Sequence, residues 1–404
     1  MVYANKKLGS QQVIDDLQRV ATDVKENGPS KLPEFAYYGR KVLKYGVYHH
    51  PQLHLSGNYG SGKGTTAEYI DIFDPENPKT LRQSIKNNVF YRTILSTADE
   101  RFREFGGFPR FTHLEMSALL KSNEKALEYM KKRELVPDEI VIPLQLAALD
   151  NAIAAYNLGP NIEGGIFGFI TDGFYRGVSQ IQALKEKNHR LCVVDNRIDP
   201  LLAGIRQAER AMSQIRSPKE KGKKALTPAR TKYRFDIANT PTAILNYMQS
   251  EPGIMHAFEE DFASRDKSTI FTLDAKYTPT AKNILLGVKM LEVRGVDVSR
   301  LTRDEGEFES ALEIMSTEEN RLFEVQGDAK KKQCDYENYI FVQERIELLQ
   351  SAVEKLSTAR NREIIPGNIT SATHPTEWKK LRRILTESFK DLKALEIKQG
   401  NITA

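Results

Sequence analysis

The chain has 404 residues, 59 of them basic and 54 acidic for a formal net charge of +5, with 40% hydrophobic and 28% charged residues. That length is material for on the order of two or three globular domains with a sizeable core. No apolar run approaches the roughly 18 residues of a membrane span, and the mild charge gives no argument for a nucleic-acid partner. Cys192 and Cys334 alone make neither a metal cluster nor a disulfide framework.

The opening stretch, MVYANKKLGSQQVIDDLQRV, carries acids early and has no apolar segment of the signal-peptide kind, so the expected compartment is the cytoplasm. Val13, Leu17, Val20 and Ala21 recur at helical spacing, predicting a helix over Gln11 to Lys25. A second helix is expected over Glu34 to Tyr45, after the Gly-Pro-Ser breaker at 28–30. Residues 1–48 therefore read as a helical extension.

Next comes an apolar run, Leu53-His54-Leu55, and then GNYGSGKGTT at 57–66. Gly57, Gly62 and Lys63 fit the phosphate-loop spacing G-x-x-x-x-G-K, with Gly64 in the usual hydroxyl position and Thr65 one place later. Glycines permit the φ > 0 turns that aim successive N–H groups at an anion, and the following segment is helical in pattern. Gly57, Gly60, Ser61, Gly62, Lys63, Gly64, Thr65 and Thr66 are the candidate nucleotide cradle, Lys63 for the β/γ-phosphates and Thr65 beside Mg²⁺. The bland alternative is a glycine-rich turn that binds nothing.

Further strands are expected near 109–114, 165–171, 190–196 and 268–274, the first strand being near 52–56. Between them lie LVPDEIV at 135–141, GFITDGFYRGVSQIQAL at 168–184, DPLLAGIRQAER at 199–210 and YRFD at 233–236. Residues 211–233 are polar and breaker-rich, with seven Lys or Arg against the single acid Glu220. Such a loop suits a lid, a solvated tether or a polyanion contact.

The GSGKGT loop and these segments, in this order, resemble the adenylate kinase family over roughly residues 50–295, a little over half of the chain. The family's loop reads G-x-P-G-S-G-K-G-T, and here Tyr59 stands in place of the proline. The resemblance implies a P-loop NTPase three-layer α/β fold with a parallel sheet, and transfer of the ATP γ-phosphoryl group to a nucleoside monophosphate, AMP favoured. It implies ATP and Mg²⁺ as cofactors. It also implies Lys63, Asp172, Arg176, Arg206, Arg210, Arg234 and Asp236 as the catalytic set, with Thr65 and Asp172 near the metal, and Arg176 and Gln180 on the acceptor. Phosphoryl transfer needs no covalent enzyme intermediate, so converging cations and exclusion of water are what such a set supplies. Planar guanidiniums suit phosphate oxygens. The bland readings are that Asp172 is a turn residue, that Arg206 and Arg210 form a solvated helix face, and that Gln180 is a surface amide.

The pattern departs at FTHLEMSALLKS, 111–122, where the family's first nucleotide-arm segment reads like I-S-T-G-D-M-L-R. Glu115 replaces the aspartate, and Ala118 replaces the arginine that grips the monophosphate. Lys121, one helical turn on, is the candidate substitute. The family arginine past R-x-D is also missing, with Ile244 and Leu245 in that region. Two lost guanidiniums leave two alternatives open: a weakened nucleotide-binding interaction protein, or a P-loop kinase with a different acceptor. Residues 74–110 form an insertion relative to the family, either a packed helix or a new acceptor pocket.

Beyond about 297 the chain is helical in pattern, with apolar stripes such as Ile346, Leu349, Val353 and Leu356, and a last helix holding Trp378, Leu381, Leu385 and Phe389. The expected organisation is an N-terminal extension 1–48, a kinase-like domain 49–296 with a lid at 211–233, and a helical domain 297–404. The C-terminal helices are expected to dock on the core, a second copy or a protein partner. The sequons at Asn368 and Asn401 are discounted for want of a secretory signal.

Overall fold

A computed structural model describes residues 4–71 except 49, 58 and 59; 111–198 except 133, 160, 161, 164, 188 and 189; and 253–263, 268–274, 277–303 and 306–331. In chain order the elements are α1 (Ala4–Asn27), a 3₁₀ turn (Gly28–Lys31), α2 (Leu32–Tyr48), β1 (Gln52–Gly57), α3 (Lys63–Asp71), β2 (Phe111–Glu115), α4 (Met116–Lys121), α5 (Glu124–Lys132), α6 (Asp138–Leu158), β3 (Gly168–Asp172), α7 (Val178–Ala183), a second 3₁₀ turn (Lys185–Lys187), β4 (Leu191–Arg197), α8 (253–262), β5 (Thr269–Asp274), α9 (Pro279–Val293), α10 (Ser299–Arg303) and α11 (Glu307–Lys331). The insertion at 74–110, the 211–233 loop and everything past 331 lie outside the described residues.

The five strands form one sheet of order β2-β3-β1-β4-β5. The pairs β2·β3, β1·β3 and β4·β5 run parallel. This is the α/β architecture expected from the sequence. Parallel strands need crossover connections, so both sheet faces carry helices and the inner strands read as apolar runs rather than alternations. β1 and β4 are buried almost throughout for that reason.

Successive residues serve opposite faces. On one face Leu53, Leu55, Ile170, Cys192, Val194 and Leu273 pack with Ala67 and Ile70 of α3 and with Leu286 and Met290 of α9. On the other, Phe169, Leu191 and Val193 pack with Leu149 of α6, Ile181 of α7 and Phe258 of α8. Strand ends deviate from expectation by at most three residues. β3 opens on Gly168, where a Cβ would stand 2.5 Å from Phe111 Cε1 and 2.6 Å from Pro51 O, so only glycine lets the backbones approach.

A third core joins the N-terminal helices to the last ones. Val13, Leu17, Val20 and Ala21 of α1 and Phe35 of α2 are buried with Ile284 and Leu291 of α9 and with Ala311, Leu312 and Met315 of α11. The α1 stripe is thus a packing face. α2 lies close along α9: a Cβ on Gly287 would be 2.5 Å from Leu43 Cα, and one on Gly46 would be 2.9 Å from Met290 Cβ.

By contacts, Met1–Ser56, Gly62–Arg197 and Ile254–Phe323 form one compact unit. Gly57–Ser61, Ile198–Gly253 and Glu324–Ala404 form a second. The sheet apart from Gly57, and the α1–α2 pair, belong to the first. Among the described residues no helix is long and apolar enough to cross a membrane.

Candidate active site

The connection from β1 leads towards β2 and that from β3 towards β4, on opposite sides of the β1·β3 pair. Ligands of open α/β sheets bind in the crevice at the carboxyl ends of such a pair. Leu55 of β1 is in register with Asp172 of β3, and Asp172 with Glu115 of β2. Paired residues of parallel strands point the same way, so Asp172 and Glu115 project from the face that carries α3.

The loop after β1 has the backbone its glycines predict. Gly57, Gly60 and Gly62 have φ of 127°, 77° and 93°, a region closed to most side chains. A Cβ on Gly62 would meet nothing within 4 Å, so the glycine is required there by backbone conformation alone. α3 starts at Lys63, and Thr66 N–H donates to Gly62 O at 2.8 Å. Gly64 and Thr65 lie in that first turn, half-buried, where the helix carries partial positive charge.

Lys63 is half-buried. Burial lowers its ammonium pKa to about 8, Asp172 works against that shift, and Arg176 adds to it. Lys63, Asp172 and Arg176 therefore share one electrostatic neighbourhood: two cations and one carboxylate from β1–α3 and from the end of β3.

Arg176 is set by its turn. Its Nε donates to Gly173 O at 3.1 Å and its backbone N–H to Gln180 Oε1 at 3.0 Å. Gly173 has φ 76°, and Tyr175 has φ 51°, unusual for a bulky residue. Tyr175 is buried and holds its place by ring contacts, its centroid 4.7 Å from that of His54 at an 81° angle and 5.6 Å from that of Phe258. Gln52 Nε2 donates to its hydroxyl at 3.5 Å.

His54 lies in β1 facing this cluster. The Thr171 hydroxyl donates to Leu53 O at 3.3 Å, so at 3.1 Å it accepts from His54 Nδ1–H. Burial depresses the imidazole pKa to about 3, opposed by the contact with Thr171 and assisted by Lys63 and Arg176. The ring is neutral at ordinary pH.

Gln180 is buried, its oxygen accepting from Arg176 N–H and from Gln145 Nε2 at 3.2 Å, its nitrogen donating to Asp138 Oδ1 at 2.8 Å. Ser179 Oγ donates to the second oxygen of Asp138. Glu115 accepts from Ser117 Oγ at the start of α4, and both Glu115 and Lys121 are exposed. On the far side of β1, Asn196 Nδ2 donates to Ser56 O at 3.3 Å, steadying the strand just before the loop. Asp195 is buried and pairs with Arg197 Nε at 2.8 Å; burial raises its pKa.

The structure thus brings together Lys63, Asp172 and Arg176, with Gln180 behind the arginine. Arg206, Arg210, Arg234 and Asp236 lie outside the described residues. His54, Tyr175, Asp138 and Gln145 were not singled out from sequence. The signal for His54 was a polar residue between two strand leucines, and for Asp138 a carboxylate opening a helix inside a matched segment. Among the described residues there is no group of three or more His, Cys, Asp or Glu placed to hold a metal. A P-loop Mg²⁺ site does not rely on one, being built from a hydroxyl, a carboxylate and phosphate oxygens.

No family model matches the sequence. Among curated proteins the chain is similar to an adenylate kinase of Archaeoglobus fulgidus, 37% identical over 113 residues, which are 26% of this chain and 47% of that protein. It is also similar to an adenylate kinase of Carboxydothermus hydrogenoformans, 35% identical over 140 residues, 34% of this chain and 46% of the relative. The chain spans about half the length of the curated relatives it matches, and over that half its relationship is adenylate-kinase-like.

Proposed function

We propose that the protein is an ATP-dependent nucleoside monophosphate kinase. The observation that carries the reading is the shared field of Lys63, Asp172 and Arg176 at the carboxyl ends of adjacent parallel strands. An ammonium and a guanidinium gathered beside a glycine-rich turn and a helix N-terminus suit a chain of phosphates. The likeness to two adenylate kinases supports the same chemistry.

In this reading the Gly57–Thr66 stretch wraps the donor triphosphate, and Lys63 follows the charge that shifts between β- and γ-phosphates. Thr65 and Asp172 are the residues suited to Mg²⁺, which when bound neutralises phosphate oxygens and orients them. Arg176 holds the acceptor phosphate. One acceptor oxygen forms a bond to the γ-phosphorus as the bond from phosphorus to the ADP oxygen breaks, so no protein group gains or loses a proton. Arg206, Arg210, Arg234 and Asp236 are proposed to complete the array, with 211–233 as the lid that excludes water.

The test is direct. Purified protein with MgATP and nucleoside monophosphates should yield nucleoside diphosphates by chromatography. An analogue joining two adenosines through five phosphates should raise the melting temperature. Lys63→Ala should abolish both responses. Absence of any diphosphate would leave the two other readings, a nucleotide-binding interaction protein or a P-loop kinase with a different acceptor.

A further inference from the structure

We infer that affinity for the donor triphosphate is set from outside the phosphate loop, by a buried latch of Arg40, Tyr69, Thr280 and Glu319 that fixes the position of α3. The inference rests on the reading above in one respect, that the first turn of α3 receives that triphosphate.

α3 is nine residues long, Lys63–Asp71. A helix shorter than about 12 residues is at best marginal alone in water, so its neighbours determine where it stands. At 1.5 Å per residue it is roughly 13 Å from end to end and moves as one piece. What holds its last turn therefore also sets Lys63 and the N–H groups of its first turn.

Two contacts hold that last turn. Arg40 of α2, itself buried, donates through Nη2 to Ile70 O at 3.4 Å. Ile70 O is among the terminal carbonyls that no amide of the helix can reach, and a guanidinium there also suits the negative end of the helix dipole. The second contact is made by Tyr69, buried, with its hydroxyl 2.8 Å from Thr280 Oγ1 of α9. The Thr280 hydroxyl proton is already given to Glu319 Oε1 of α11, at 2.8 Å. Tyr69 is thus the donor to Thr280, with a longer 3.4 Å approach to the same carboxylate oxygen. The chain runs one way, from Tyr69 through Thr280 to Glu319. Thr280 N–H, 3.3 Å from Glu319 Oε2, fixes the far end.

The frame that carries these groups is stiff. α2 and α9 approach so closely that a Cβ on Gly287 would stand 2.5 Å from Leu43 N. Ala67 and Ile70 of α3 share a core with Leu286 and Met290 of α9, but apolar packing is non-directional. The hydroxyl chain and the guanidinium supply the register that packing leaves open. Arg40 and Glu319 lie outside the stretch 50–295 that resembles the adenylate kinases, whereas Tyr69 and Thr280 lie within it. Helices on either side of that stretch thereby act on the donor site. Tyr69 and Glu319 are positioning residues, acting through α3 and not on the nucleotide.

The experiment is calorimetric titration of the full chain with Mg²⁺ and a non-hydrolysable ATP analogue, for wild type, Tyr69→Phe and Val20→Ala, with the melting temperature of each. Tyr69→Phe keeps the ring and removes only the hydroxyl. Val20→Ala lowers stability in the core built on α1, to which α3 contributes no residue. Tyr69→Phe should weaken binding about tenfold, short of the roughly 10²-fold that a misplacement of about 1 Å can cost. Val20→Ala should bind like wild type despite an equal or larger fall in melting temperature. Tyr69→Phe binding as tightly as wild type, or an equal loss in Val20→Ala, would overturn the inference. Should Tyr69→Phe not fold, Thr280→Val, which keeps the shape and breaks the chain at its centre, is judged by the same comparison. No binding of the analogue by wild type would sink this inference and the kinase reading together. Binding with no diphosphate formed from MgATP and monophosphates would sink the kinase reading alone.

Discussion

The Thr280 hydroxyl donates a 2.8 Å hydrogen bond to Glu319 Oε1, fastening α11 to the first turn of α9 across 39 residues of chain. Thr280 N–H reaches the other carboxylate oxygen at 3.3 Å, and the Tyr69 hydroxyl of α3 lies 2.8 Å from Thr280 Oγ1 and 3.4 Å from Glu319 Oε1. Glu319 therefore supplies to α9 the capping oxygen its own Thr278 does not. It also ties the helix that begins with Lys63 to α11.

Glu319→Ala should cost on the order of 2–3 kcal/mol, since it leaves buried donors unpaired. Burial raises the Glu319 pKa above its ordinary value of 4.5, with the Thr278 and Thr280 groups pulling the other way. A carboxyl raised in the folded state stabilises fully at low pH and loses that contribution as pH climbs through its folded value. Urea titrations from pH 5 to 8 should show wild type losing stability relative to Glu319→Gln as pH increases. A difference independent of pH would refute the assignment.

The sheet and the loop were legible because their signals are local: apolar runs of strand length, glycines at fixed spacing, a lysine opening a helix. The Glu319 contact was not, since Thr280 and Glu319 meet only in three dimensions. One signal was present. Ala311, Leu312, Met315 and Ser316 form the buried stripe of α11, and Glu319 is the next position on it. An acid on an apolar face announces a partner without naming it. The bonding of Gln180 to Arg176, Gln145 and Asp138 was likewise invisible, because helix spacing places a glutamine near an arginine but not the direction of its amide.

Nucleotide binding should be coupled to a proton at Lys63. With its pKa lowered to about 8 by burial, the amine is partly neutral at mildly alkaline pH. A bound polyphosphate favours the charged form, so binding above pH 8 takes up a proton and weakens as pH increases further. Calorimetry in buffers of differing ionisation enthalpy should give an uptake that grows from pH 7 to 9 and vanishes in Lys63→Met. In the unliganded protein the sign is opposite. Stability should rise with pH between about 8 and 10.5, the window in which the unfolded chain holds the proton more tightly.

His54 should not titrate between pH 5 and 8. Burial holds its pKa near 3, and the Thr171 hydroxyl fixes the proton on Nδ1. Nitrogen-15 shifts of labelled histidine should report a neutral Nδ1–H ring throughout that range, and its effect on stability should develop only as pH falls from 6.5 towards 3. A titration midpoint near 6.5 would mean the ring is not enclosed by Tyr175 and Phe258.

Two glycines of the site should respond differently to alanine. Gly62 has open space around its missing side chain, so Gly62→Ala pays only for φ 93°, roughly 1–2 kcal/mol, and should raise the KM for ATP by distorting the loop. Gly173 has φ 76° and also meets Arg176 Nη2 at 3.0 Å and Met116 Cβ at 3.3 Å. Gly173→Ala should carry a similar strain and displace the guanidinium, so its losses should appear in the monophosphate KM and in kcat. Steady-state kinetics varying each substrate in turn separates the two patterns.

The contact between α2 and α9 makes the N-terminal helices part of the folded core rather than an appendage. On Gly287 a new Cβ would lie 2.5 Å from both Leu43 Cα and Leu43 N, and on Gly39 it would strike Ile284 at 2.2 Å. The two clashes are unequal. Ile284 has a side chain that can change rotamer, whereas Leu43 presents backbone and the helices must separate. Gly287→Ala should therefore destabilise by more than Gly39→Ala, with the larger effect on the order of 3 kcal/mol or above, near the upper end for overpacking. Removing residues 1–48 should be worse than either, because it uncovers Ile284, Val288 and Leu291 together. Thermal melts of the three proteins should rank in that order, and a truncated chain as stable as wild type would show that the α1–α2 pair contributes nothing to the core.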